Sequence, residues 1–330
     1  MPALWLLFSL VSAAAAADND ECNVKQQKWN WEPSASNHEC NIKRITQSDL
    51  RRKFGDLGLP NLYPFPIVIV PDNKRSPRNG HFANLTTQER LPLNFPPDFN
   101  VTLTGSDSLS SHRRTIPLKQ YLYEIQNDNG GETHPDQLGK NNWYLFGETF
   151  SGEWKNFLQE YNLPLCHSCT EFHYHQSLIA LSFGIGNVGS GVQWHLHGPG
   201  FSETIHGRKH WVLYPPQNRP SYNLDYASRH WMEYTYPALK NWTTEDIERE
   251  NQNHEQYLDQ WRRRSLDSSS SEHKRSSSYP MDEGPSEKKP YECTINAGEM
   301  LYFPDEWHHA TINLSPYTVF VSSFTTEHEV

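Results

Sequence analysis

A chain of 330 residues, 35% hydrophobic and 13% aromatic, is long enough to bury one large core without needing a second domain. Its formal charge of −10 argues against a nucleic-acid partner, which would need a concentrated basic surface. Arg51-Arg52-Lys53 and Arg262-Arg263-Arg264 are short runs beside acids and read as solvated faces.

Residues 1–17, MPALWLLFSLVSAAAAA, form an apolar run ending in small residues before Asp18. That length suits a secretory signal peptide and is short for a membrane span, so cleavage is expected near Ala17. No later segment approaches transmembrane length, and a soluble lumenal protein is expected. In that compartment Asn84-Leu85-Thr86, Asn100-Val101-Thr102 and Asn241-Trp242-Thr243 are glycosylation acceptors. Asn313 also heads a sequon, but it lies in an expected buried strand just before Pro316 and should stay bare. Five cysteines, Cys22, Cys40, Cys166, Cys169 and Cys293, leave one over once the others pair.

After a polar segment over 18–45, Ile45 to Arg51 reads as a helix entry capped by Thr46 or Ser48. Tyr63 to Pro71 is a β-branched run fenced by prolines, a strand near a sheet edge. Residues 72–99 read as loop. Asn100 to Thr104 alternates as a strand, and Leu118 to Ile125 has the spacing of an amphipathic helix. Trp143–Gly147 and Ile179–Ile185 are buried-strand candidates, followed by a glycine-bearing turn over 187–191. From Trp194 to Phe324 short strands, turns and prolines alternate. The expectation is a mainly β fold, a double-stranded β-helix or jelly-roll-like barrel, with N-terminal and inserted helices. A helix over Tyr222–Leu239 is expected across the barrel mouth. The Ser-rich insert at about 247–290 carries no apolar face and is expected to be disordered.

The stretch Gly191 to Pro216, GVQWHLHGPGFSETIHGRKHWVLYPP, carries the chemistry. On a strand, His195 and His197 point to one face. With the distant His309 they form a three-ligand metal site that closes only when the sheet folds over. A second cluster, Cys166-His167-Ser168-Cys169 with His173 and His175, admits three readings: zinc, a redox CxxC, or a local disulfide. The spacing fits none of the usual zinc fingers and no second Cys pair exists, so a Cys166–Cys169 disulfide is the expectation. His206, His210 and His308 read as surface or packing residues, as do Trp211, Tyr214 and Trp307.

Three separated motifs occur in order: H-x-(acidic position) at His195, G-x-K-x-W-x-L-Y-P-P from Gly207, and G-E-x-L-Y-F-P-x-x-W-x-H from Gly298 to His309. In this order they resemble the JmjC domains, a family of Fe(II)- and 2-oxoglutarate-dependent oxygenases and their relatives. The resemblance runs from about Cys40 onward apart from the insert, and makes 46–330 one JmjC-type domain. It implies Fe(II) on His195 and His309, with His197 standing where the family has a carboxylate. The step from His195 to Gly207 is also one residue short of the family's. Glu203 is a substitute carboxylate ranked behind His197. The resemblance further implies that Lys209 pairs with the far carboxylate of 2-oxoglutarate. Ser322 and Ser323 fall where the family places an amide or hydroxyl near it, with Ser323 taken as the contact. It also implies a Cys40–Cys293 disulfide, with Cys22 left over, and residence in the endoplasmic reticulum, although the chain ends Glu327-His328-Glu329-Val330 rather than in a KDEL-type signal.

Two functions follow. One is a binding protein of this fold whose chemistry has lapsed and which acts through protein partners in a regulatory or signalling role. The other is an Fe(II)/2-oxoglutarate protein hydroxylase with a His-x-His…His site. The first is preferred, because the departures fall on the metal ligands while the fold motifs stand. The leader and the acidic charge disfavour histone demethylation, and a zinc hydrolase would lack a placed general base.

Overall fold

The computed structural model describes residues 40–60, 63–107, 109–110, 112–127, 142–147, 149, 152–166, 179–216, 218, 220, 222–234, 236 and 290–325. The leader, Cys22, Cys169, His167, His173, His175, Asn241 and the Ser-rich insert to residue 289 lie outside the described residues.

Strand β1 (Arg44–Thr46) leads directly into helix α1 (Gln47–Phe54). Thr46 caps it, its hydroxyl accepting from the Asp49 N–H at 3.1 Å. Gly55 ends it at φ 81°, a conformation that favours glycine, with its N–H on the Arg51 carbonyl. Strand β2 (Ile67–Val70) follows. Residues 72–99, expected as loop, instead hold helix α2 (Gly80–Leu85) and a 3-10 turn at Leu91–Asn94. Phe82 and Leu91 anchor these pieces by burial in the core, a tertiary gain that local pattern does not show. Strands β3 (Asn100–Thr104) and β4 (Arg113–Pro117), helix α3 (Leu118–Asn127), strand β5 (Tyr144–Leu145) and helix α4 (Gly152–Phe157) complete the first half.

The second half contributes β6 (Ile179–Gly186), β7 (Gly200–His206), β8 (Arg208–Tyr214), α5 (Ser228–Tyr234), β9 (Tyr291–Asn296), β10 (Met300–Phe303), β11 (His308–Asn313) and β12 (Thr318–Thr325). Among the described residues nine strands form one sheet in the order β1-β2-β10-β7-β12-β6-β5-β3-β4, and three form another, β11-β8-β9.

The expectation of a mainly β, closed double-stranded β-helix is corrected by this topology. The fold is mixed α/β, with large sheets that do not close into a barrel. Closure requires the edge strands of a sheet to pair with one another. Here β1, at one edge, is three residues long, while β4, at the other, presents Arg113 and Arg114. Short, charged edges of this kind resist further pairing. Strands upstream of the motif widen the sheet at both flanks. Alternation in a sequence sets the face a side chain takes, not the strand that lies beside it.

Between the sheets lies a core of Val68, Leu301 and Phe303 from the large sheet and Trp211, Leu213, Cys293 and Ile295 from the small one. The Cys40–Cys293 disulfide ties the start of the described chain to β9. Helix α5 does not cover a barrel mouth. Its Trp231 and Met232 pack with Trp194, Val212 and Ala310 on the outer face of the small sheet. That leaves the inner face of β8 and β11, turned toward the large sheet, to carry the site.

Candidate metal centre

His195 and His309 are locked opposite each other by a two-bond backbone pair. The His195 N–H donates to the His309 carbonyl at 3.1 Å, and the His309 N–H returns a bond at 3.0 Å. Directly paired residues of antiparallel strands project to one face, so both imidazoles share a side. His197 lies two residues on, and its carbonyl accepts from the Glu306 N–H. Leu196, between them, points away and is exposed. The three rings stand 4.2 to 5.5 Å apart between centroids, and one ligand nitrogen from each falls within 4.8 Å of the others.

The donor atoms are fixed by backbone acceptors. Nδ1 of His195 bonds the Gln193 carbonyl at 2.7 Å, Nδ1 of His197 the Gly198 carbonyl at 2.8 Å, and Nδ1 of His309 the Trp307 carbonyl at 2.8 Å. A carbonyl only accepts, so each Nδ1 carries the proton and each Nε2 keeps its lone pair for a metal. Nε2 of His309 is buried with no hydrogen-bond partner among the described residues, which is what an absent metal ligand bond leaves. Burial, and then the neighbouring histidines, push His195 down to about 3 and His309 well below the ordinary imidazole range. Neutral imidazoles are the form that coordinates. The residues therefore fit a divalent metal ion, which would supply a Lewis-acid centre there. With no carboxylate among the three donors, such an ion keeps its full double charge.

One flank of the cluster is aromatic. Phe324 lies 4.3 Å and Phe303 5.2 Å from His197, while Trp211 lies 5.5 Å from His309. Along β8 and β11 the inner face continues through the pairs Leu213–His309, Trp211–Thr311 and Lys209–Asn313. Lys209 is fully buried, and burial alone pulls its ammonium down to about 7. Among the described residues no carboxylate pairs with it. It donates to Asn313 Oδ1 at 3.3 Å, and the Phe320 ring covers it with its centroid 3.9 Å from Nζ. A desolvated cation–π contact is worth about 2 kcal/mol. The ring's negative face thus stands where an anion would otherwise offset the buried charge. Gly184 on β6 makes this arrangement possible, since a Cβ there would overlap the ring.

A cupin-like domain family matches residues 75–327 of the chain. The chain belongs to the cupin/JmjC family. It is similar to JmjC domain-containing protein 8 of Homo sapiens, 29% identical over 327 residues, covering 98% of this chain and 96% of that protein. The Mus musculus protein of that name is 31% identical over 322 residues, covering 97% and 88%. A more distant likeness, 23% over 204 residues, is to lysine-specific demethylase JMJ21 of Arabidopsis thaliana. It covers 56% of this chain and 17% of that protein.

Against the JmjC pattern, His195, His197 and His309 come together and two other expectations do not. Glu203 cannot stand in for the carboxylate. It lies on the opposite face of β7, accepting from Tyr161 Oη at 2.8 Å and from Asn79 Nδ2 at 2.7 Å. Ser323 likewise faces away, across from Phe201, while Ser322 shares the inner face with Phe320 and Phe324 and bonds Ser202. One residue of register separates the two serines, and alternation could not be phased from sequence alone. Phe320 and Asn313 were missed as neighbours of Lys209; the cross-strand register reveals Asn313, and the packing of one sheet on the other reveals Phe320. His210 is more than packing: fully buried, it bonds Glu292 and Thr294, and Tyr236 donates to Glu292. Asn313 is fully buried and spends its side chain on Lys209 and Ser190, whereas Asn84 and Asn100 are exposed. Cys166 is buried and disulfide-bonded; Cys169, its expected partner, lies outside the described residues.

Proposed function

We propose that this protein is a lumenal member of the cupin/JmjC family that holds a divalent metal on three imidazoles and acts through association with proteins. The observation that carries this reading is the Phe320 ring over Lys209. As the side chains stand, the far carboxylate of 2-oxoglutarate has no open approach to the ammonium that the family uses for it. His197 in the carboxylate position supports the same reading, because it alters the charge of the metal centre at the point where oxygen chemistry is set. The lumenal part rests on the apolar leader and the sequons. No helix among the described residues is long and apolar enough to cross a membrane. Lysine demethylation is named for the plant relative and is not carried over, since the match spans 17% of that protein. The charge of −10 also disfavours a chromatin substrate.

A second reading, an Fe(II)/2-oxoglutarate protein hydroxylase, is favoured by one fact: Lys209 is buried with no carboxylate partner among the described residues. It requires Phe320 to swing aside. The two readings separate in one experiment. Partners captured on tagged full-length protein from the secretory pathway are compared for wild type and for folded His195→Ala and His309→Ala variants. Retention of the partners supports association through the scaffold. Loss of partners together with 2-oxoglutarate-dependent oxygen insertion into one of them would establish the hydroxylase.

A further inference from the structure

We infer that the cleft between α1, the 71–78 segment and the 162–165 segment is an oxyanion-binding site, on the face of the large sheet turned away from the histidines. The cleft encloses about 560 Å³, within the range of small-ligand sites. Arg78 lies half-buried at its wall and Arg51 is exposed on its rim. Neither guanidinium forms an ion pair or a side-chain hydrogen bond among the described residues. Burial disfavours the charge on Arg78; Tyr161 and Glu203 favour it, and Arg51 across the opening opposes it. Glu203 offsets part of the Arg78 charge and Asp72 part of the Arg51 charge, and an anion in the cleft would relieve the repulsion left between the two guanidiniums.

The remaining lining has the same bias toward donors. Among the described residues Gln47 and Ser76 make no side-chain hydrogen bond, and Asn73 uses only its oxygen, on the Arg75 N–H. The one acid in the lining, Asp72, turns to the start of α1 and accepts from the Ser48 N–H at 3.0 Å. What remains facing the cleft is two planar guanidinium forks with amide and hydroxyl donors beside them. That set matches a carboxylate or a phosphate, which guanidinium groups grip through paired N–H bonds. A free small molecule and the acidic side chains of a partner protein both carry such an oxyanion. The recognising chemistry is shared.

The test is calorimetric titration of the full chain with inorganic phosphate in one arm and a hexaglutamate peptide in the other. We expect saturable binding in at least one arm, weakened at least tenfold by Arg78→Gln and by Arg51→Gln. Lys119→Gln on α3 makes the same charge change elsewhere and should leave binding unaltered. Arg51 is exposed, so its variant keeps the test decisive even where Arg78→Gln disturbs folding. Tighter binding of the peptide assigns the site to a partner's acidic side chains; tighter binding of phosphate assigns it to a free oxyanion. No saturable binding in either arm, binding unmoved by Arg51→Gln, or equal weakening by Lys119→Gln would overturn the inference.

Discussion

His195 and His309 face the same way because their backbones exchange two hydrogen bonds, at 3.1 and 3.0 Å, across residues far apart in the chain. The metal centre is therefore a property of the backbone pairing, with the imidazoles oriented further by Nδ1 bonds to carbonyls. Truncating one ring should leave the strands paired and remove the ligand alone. We expect His309→Ala to weaken divalent metal binding by at least about 10–100-fold, the loss seen when even an outer partner of a ligand is removed. Metal content after equilibrium dialysis, with circular dichroism to check the fold, measures it. Unchanged metal content would place the ion elsewhere.

Gly184 and Phe320 make the second case. The ring occupies the space that the missing Cβ leaves, so Gly184→Ala should overpack the inner face and cost about 1–3 kcal/mol. Phe320→Ala should cost about 3–5 kcal/mol through lost burial and the cavity left behind, and should uncover Lys209. Chemical denaturation reads both losses. Full stability in Gly184→Ala would mean that the ring does not rest there.

Much of this was legible in the sequence and some was not. Thr46 as a helix cap, the strand at Asn100–Thr104 and the helix from Leu118 follow from capping chemistry and periodicity, which are local. The three histidines were legible because HxH on a strand dictates a shared face. The sheet order was not, since β2 joins the large sheet through β10, Ile69 opposite Met300, and β5 joins it through β6, Leu145 opposite Ile185, and no local pattern encodes such a neighbour. Ser323 and Glu203 failed for a related reason. Each lies one residue from an inward-facing position, Ser322 and Ser202 or Thr204 respectively, and phase along a strand is visible only once a partner fixes it. Phe320 escaped because its role depends on Lys209 across the gap between the two sheets.

Glu203 predicts a pH dependence. Burial raises its carboxyl from the ordinary 4.5 to about 7 in the folded chain, with hydrogen bonds from Tyr161 and Asn79 opposing the rise. The folded state holds the proton more tightly, so its contribution to stability is full below about 4.5 and is lost as pH rises through about 7. Glu203→Gln, which keeps an acceptor for Tyr161 and Asn79, should flatten that decline. Melting temperatures from pH 4 to 8 compare the two proteins, and parallel curves would contradict the assignment.

The Cys40–Cys293 bridge closes a span of 253 residues onto a fully buried position of β9. Cys293→Ser should lower stability by about 2–4 kcal/mol. Denaturation of oxidised wild type against the variant checks it, and equal midpoints would show that the bridge adds nothing.

A three-histidine cluster fit for a metal thus stands on the same inner face as a lysine covered by an aromatic ring. One measurement addresses it most directly: metal stoichiometry and 2-oxoglutarate decarboxylation determined on the same sample of Fe(II)-loaded wild-type protein. We expect one metal ion per chain and no decarboxylation above that of free iron. Sustained decarboxylation that is lost in both His195→Ala and Lys209→Glu would contradict it.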